Sequence, residues 1–153
     1  RGLGDVYKRQ TGDRTFDFNY DALQTGRHTV SNMNADGVLQ DRSTKLFRGT
    51  IDFQKGAAGS KGDEKEDVLL LGEDVVNRTI PLILCAEEDV EGNHGASIGQ
   101  LDEDILFYMN SRGLSRAEAE LLITRSKLEA LCAKANDPGL TDRVHRYLEE
   151  NAQ

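Results

Sequence analysis

Near residue 100 the hydrophobic pattern of this chain changes period, and that change limits the fold more than any other feature. Before it, apolar residues recur at every second position or sit in short runs between turn residues, the mark of β-strands. After it they recur at helical spacing. An all-β scaffold over 11–100 followed by a helical domain over 101–153 is therefore expected. Residues 1–10 are set aside, because Asp5–Gln10 (DVYKRQ) looks like translated sequencing adapter and the stretch reads as an adapter or assembly scar. The natural chain is expected to continue upstream.

Within the first part, Phe16, Phe18 and Tyr20 alternate against Asp17 and Asn19. His28, Val30 and Asn32 share one face of a second short strand, with a turn at Asp36-Gly37 before Val38-Leu39. The clearest alternation runs from Lys45 to Phe53, where Phe47, Gly49, Ile51 and Phe53 should face a core and Arg48, Thr50 and Asp52 should face away. Gly49 marks a place where another chain segment comes close. Residues 55–67 (KGAAGSKGDEKED) carry no apolar side chain larger than Ala and read as an exposed, solvated loop. Val68–Leu71 and Ile80–Cys85 are unbroken apolar runs, as in strands covered on both faces. Short strands with turns and no helix between them suit either a sandwich or a parallel β-solenoid, and spacing does not choose between the two.

Three helices are expected after that. Asp102 is an N-cap with Glu103 and Asp104 in the first turn, and Gly113 is a C-terminal stop. Ile105–Met109 is apolar throughout, so this helix should be wedged among neighbours, a partner included. Ser115 and Glu118 form a capping box, followed by a stripe of Ala117, Leu121, Leu128, Leu131, Cys132 and Ala135. Asp137-Pro138-Gly139 ends that helix, and Leu140, Val144, Tyr147 and Leu148 give a third.

The junction between the parts, Thr79–Gly113, gathers the reactive groups. Cys85 ends an apolar run, and His94 stands among glycines in an acidic, turn-rich segment that holds Glu87, Glu88, Asp89 and Glu91. An imidazole held by a carboxylate acceptor is a ligand for iron or a related metal, so His94 is the main candidate for metal contact, with Cys85 and Glu91 weaker ones. The Cys85 to His94 spacing is no zinc motif, and both residues also suit plain structural roles. No arrangement of Ser, His and Asp supports hydrolysis. A net charge of -8 disfavours nucleic acid or an anionic membrane as partner. No apolar run approaches the ~20 residues of a membrane span. Two distant cysteines suit free thiols in a reducing compartment, so a cytoplasmic protein is expected.

The stretch Asn93–Ile123, NHGASIGQLDEDILFYMNSRGLSRAEAELLI, resembles the C-terminal signature of the SufB/SufD scaffold proteins of the SUF iron–sulfur cluster assembly system, and of SufD in particular. HTVSN at His28–Asn32, GVL at Gly37–Leu39, FRGTI at Phe47–Ile51 and LLLG at Leu69–Gly72 are similar to its repeated strand segments. The resemblance implies the last rungs of a right-handed parallel β-helix capped by a three-helix C-terminal domain. It implies a non-catalytic scaffold that pairs with a SufB-like subunit, or a second copy of itself, and docks the ATPase SufC, to which ATP hydrolysis belongs.

Under the same resemblance, His94 stands where SufD members carry a histidine used in cluster assembly at the subunit interface. The helix carrying Phe107, Tyr108 and Arg112 would face the docking partner. No cofactor is expected to stay bound to this chain alone; iron or a cluster would pass through the complex. Gly92-Asn93 replaces the Cys-Ser found before that histidine in some relatives, and Cys85 ahead of His94 resembles the SufB arrangement, which leaves a protein combining SufB and SufD features open. Two other readings compete: a small metal-dependent enzyme with Cys85, His94 and Glu91 around one ion, and a β-solenoid interaction module with no metal role.

Overall fold

The computed structural model describes residues 12–134, 137 and 139–150 in full and residues 2–10 by their backbone. Among the described residues there are seven strands and three helices: β1 (Gly2–Gln10), β2 (Thr15–Gln24), β3 (Val30–Gln40), β4 (Thr44–Phe53), β5 (Ser60–Leu71), β6 (Val76–Cys85), β7 (Val90–Gln100), α1 (Glu103–Ser111), α2 (Arg116–Cys132) and α3 (Leu140–Glu150). The chain divides into two compact units, Arg1–Gln100 and Leu101–Gln153.

In the strand unit, successive strands alternate between two sheets, ordered β1-β3-β5-β7 and β2-β4-β6. Every described pairing is parallel, and the register advances by a near-constant interval: Gly2 lies beside Ser31, Val30 beside Lys61 and Ser60 beside Val90. Such pairing is not that of an antiparallel sandwich. Parallel sheets followed by three helices are compatible with a β-helix-like fold.

Side chains at alternate positions point between the sheets. On β4 these are Lys45, Phe47, Gly49, Ile51 and Phe53, all buried, so the face read from the sequence is the core face. On β5 they are Ser60, Gly62, Glu64, Glu66 and Val68. Glycine at two of these positions lets the sheets approach. A Cβ built on Gly62 would fall 2.6 Å from Ile51 Cγ2, and one on Gly49 would fall 2.5 Å from the Glu64 carboxyl carbon.

Three expectations for this unit need correction. Residues 60–67 are not loop but the first two thirds of β5, because in-register pairing with β3 satisfies their backbone and the acids alternate between interior and solvent. The backbone of 2–10 pairs along β3 as β1. The Asp36-Gly37 turn does not form; β3 runs through it, with Gly37 buried beside Val68. Ile80, Leu82 and Leu84 are exposed, so β6 is covered on one face and not two.

In the helical unit the caps follow the sequence. The Asp102 carboxylate accepts from the Asp104 N–H at 2.8 Å, and Gly113 closes the turn after α1 with φ +92°. On α1, Leu106 is buried within this chain, while Ile105, Phe107 and Tyr108 are exposed. On α2 the buried residues are Ala119, Thr124, Leu128 and Cys132; the expected stripe holds at Leu128 and Cys132, while Ala117 at its start is exposed. Ala135 and Pro138 lie outside the described residues.

The capping box at Ser115 carries a pH dependence. The Glu118 carboxylate accepts from both the hydroxyl and the N–H of Ser115 at 2.7 Å, and these bonds hold its carboxyl below the ordinary glutamate value. Because the folded value lies below the unfolded one, the stabilisation is complete above the unfolded value and is lost as pH falls through the folded one. Amide protection factors in the first turn of α2 are expected to drop across that acid window. Glu118→Gln should lower them at neutral pH and flatten the dependence, which hydrogen exchange measures directly.

Candidate functional site

The last strands of the two sheets, β6 and β7, each sit at a sheet edge with one side unpaired. Their register fixes which residues look between the sheets. Parallel partners share a face, so Val90, Gly92, His94, Ala96 and Ile98 continue the inward positions of β5, and Asn77, Thr79, Pro81, Ile83 and Cys85 continue those of β4. Unlike the buried positions they extend, His94, Ala96 and Ile98 are exposed. His94 lies on a strand and not in the acidic turn that its neighbouring glycines suggest.

Directly beside His94 in the ladder is Glu64. Glu64 is 2% exposed, and its Oε2 has no hydrogen-bond partner. Burial pushes its carboxyl above the ordinary glutamate value, the charge of His94 pulls it back down, and neighbouring Glu66 adds to the rise. Across the interior, Gly49 leaves the space that this carboxyl fills.

Glu66, two residues on, is fully provided. Its carboxylate pairs with the Lys45 ammonium and accepts from the Thr79 hydroxyl and, at 3.3 Å, from the Asn77 amide. Lys45 also lies 5.3 Å from the centre of the Phe47 ring. A small polar cluster thus occupies the interior next to an otherwise apolar core of Met33, Ile51 and Phe53.

The other candidate residues separate. Glu91 is an odd number of positions from His94, so it points to the opposite face of β7, where it bonds Lys61 at 2.5 Å and Asn93 at 3.5 Å. Lys61 holds its carboxyl below the usual range. Cys85 shares the inward face of β6 but is exposed and lies beside Phe53. Ile83 faces Gly92, whose built Cβ would fall 2.8 Å from Ile83 Cγ2, and by the same register Pro81 faces His94. Cys85 is therefore displaced along the strand from His94 by on the order of 13 Å.

The single-ion arrangement of Cys85, His94 and Glu91 does not form, and among the described residues no three His, Cys, Asp or Glu side chains converge as a metal cluster. Glu87 is engaged elsewhere, accepting from the Gly56 N–H at 3.0 Å, which with other backbone N–H groups holds its carboxyl low. On α1, Phe107 is 76% and Tyr108 59% exposed, and the Arg112 guanidinium sits 5.2 Å from the centre of the Tyr108 ring. Tyr108 and Arg112 form an exposed aromatic and cationic pair, and Phe107 is exposed at the preceding position of the helix.

Glu64, Glu66 and Lys45 were not among the sequence candidates. A signal was present: Ser60, Gly62, Glu64 and Glu66 are in phase with the apolar Val68, so the strand period can be traced backwards into the charged segment.

Residues 7–127 match the family described as "SUF system FeS cluster assembly, SufBD core domain". The iron–sulfur cluster assembly protein SufD of Bacillus subtilis is 30% identical over 112 residues, covering 73% of this chain and 26% of that protein. SufD of Escherichia coli is 28% identical over 107 residues, 70% of this chain and 25% of that one. A SufBD family protein of Pyrococcus horikoshii is 36% identical over 94 residues, 61% of this chain and 21% of that one. The chain thus spans a quarter or so of the length of its SufD relatives. With most of its length inside the core-domain match, this chain belongs to the SufB/SufD family of the SUF iron–sulfur cluster assembly system.

Proposed function

We propose that this chain is part of a SufD-like scaffold subunit in a cytoplasmic SUF complex, with no catalytic chemistry of its own. Its two parallel sheets are read as the last rungs of a right-handed parallel β-helix. The strand unit pairs with a SufB-like subunit or a second copy, and the helical unit docks the SufC ATPase through Phe107, Tyr108 and Arg112. Iron or a nascent cluster is cargo, met at His94 and handed on.

The observation that carries the reading is the placement of His94: an inward-facing position that is buried on the preceding strand becomes exposed on an edge strand, beside a buried carboxylate. An imidazole so held is available to a neighbouring subunit without local unfolding. The exposed Phe107 and the exposed Tyr108, the latter with the Arg112 guanidinium over its ring, support protein docking, since aromatics and Arg are enriched where partners bind. No helix among the described residues is long and apolar enough to cross a membrane.

Co-expression of the full-length parent with SufB-like and SufC-like partners is expected to yield one co-eluting complex; separate elution counts against the scaffold. In that complex His94→Ala should leave assembly intact and abolish most cluster maturation. Normal maturation in the variant would remove His94 from the site and leave the scaffold standing.

A further inference from the structure

We propose that Glu64 and His94 together form a half-site for a divalent first-row transition-metal cation, with a carboxylate oxygen from β5, an imidazole nitrogen from β7, and the remaining positions left to water or a partner's ligands. The inference rests on the reading of His94 as meeting iron or a cluster, and deepens it by naming a second protein ligand.

Glu64 is 2% exposed with one oxygen unpartnered, although its neighbour Glu66 holds Lys45, Thr79 and Asn77. Buried carboxylates are ordinarily paired or bound to a cation, because leaving one bare is costly. The Lys45 ammonium pairs with Glu66, and the interior acid left over is the one next to His94.

The space around it has a shape that accepts an acid. Gly49 faces the carboxyl, and a Cβ there would lie 2.5 Å from Glu64 Oε1. Adjacent parallel strands lie roughly 4.8 Å apart, so in-register Glu and His side chains on one face converge on a common ion without backbone movement. Oxygen with imidazole nitrogen suits Fe(II), Co(II), Mn(II) or Zn(II) over a soft thiolate-seeking ion. Two ligands give an exchangeable hold, as a cation passed onward requires.

The test uses the full chain and Co(II) alone as probe, read by visible absorption and by paramagnetic shifts of the His94 ring protons. Wild type is expected to show a saturable response. Glu64→Gln and His94→Ala should each weaken it at least about tenfold, while Glu91→Gln, on the other face, should leave it unchanged. Circular dichroism should show Glu64→Gln folded and no less stable than wild type, since it removes a bare buried acid. Binding by Glu64→Gln within about twofold of wild type, or the lack of any saturable wild-type response, overturns the half-site. Intact Co(II) binding with no partner co-elution sinks the scaffold reading alone; the reverse sinks the half-site alone.

Discussion

Phe53→Ala is expected to destabilise the strand unit by about 3–5 kcal/mol, the range for removing a fully buried aromatic ring from a core that cannot close over the hole. The ring is fully buried with Met33 and Ile51, and Ala22, Ile83 and Val90 pack around the cluster. What keeps the gap open is the glycine on either side. The ring's Cζ and Cε2 lie 3.1 Å from where Cβ atoms would stand on Gly62 and Gly92, so the neighbours that line this wall have no side chain to swing inward. Backbone held in two parallel ladders cannot shift far without losing hydrogen bonds on both sides. Chemical unfolding followed by circular dichroism should show a lower midpoint with an unchanged slope. Phe53→Leu, which refills much of the volume, should cost far less. A loss below about 1 kcal/mol for the alanine variant would mean that the sheets collapse together and that the glycines do not brace this part of the core.

The same geometry explains which elements are legible in the amino-acid sequence. Lys45–Phe53 showed its core face because apolar side chains at every second position have one cheap arrangement, with that face buried. Ser115 and Glu118 announced a helix start because the box is made by residues close in sequence. Residues 60–67 misled for the opposite reason: their burial depends on Lys45 from another strand and on Gly49 across the interior, neither of which local composition can reveal. Composition made the segment look solvated, and only its phase with Val68 pointed inward.

The candidate site was legible in part. His94 was found by its chemistry and its motif, but its neighbouring glycines suggested a turn, whereas Gly92 is required where β7 passes Ile83 and Phe53. Glu91 looked like a companion to His94 because it is near in sequence, yet a strand sends residues an odd number apart to opposite faces. Glu64, distant in sequence and adjacent in space, was missed. Register is the quantity that decides all of these, and it is a property of strand pairing between distant segments.

Lys45→Met is expected to cost about 3–5 kcal/mol, since it keeps most of the stem but strips the counter-charge from a carboxylate with nowhere to go. The side chains of Lys45 and Glu66 are 6% and 1% exposed, so neither can turn to water without opening the sheets. Thr79 and Asn77 would still donate to Glu66, but two neutral donors do not replace an ammonium, and Glu64 beside it adds a second acid to an interior left without a cation. The attraction between the ammonium and the Phe47 ring disappears as well. The double variant Lys45→Met/Glu66→Leu should recover most of the loss, because an apolar pair of similar volume avoids both desolvation costs. A double-mutant cycle on unfolding free energies measures this, with a large favourable coupling expected between two positions in direct contact. If the double variant is as unstable as the single one, the cluster is held by shape and not by charge, and Thr79 and Asn77, which lose Glu66 as acceptor, become the groups whose weakened hydrogen bonding sets the cost.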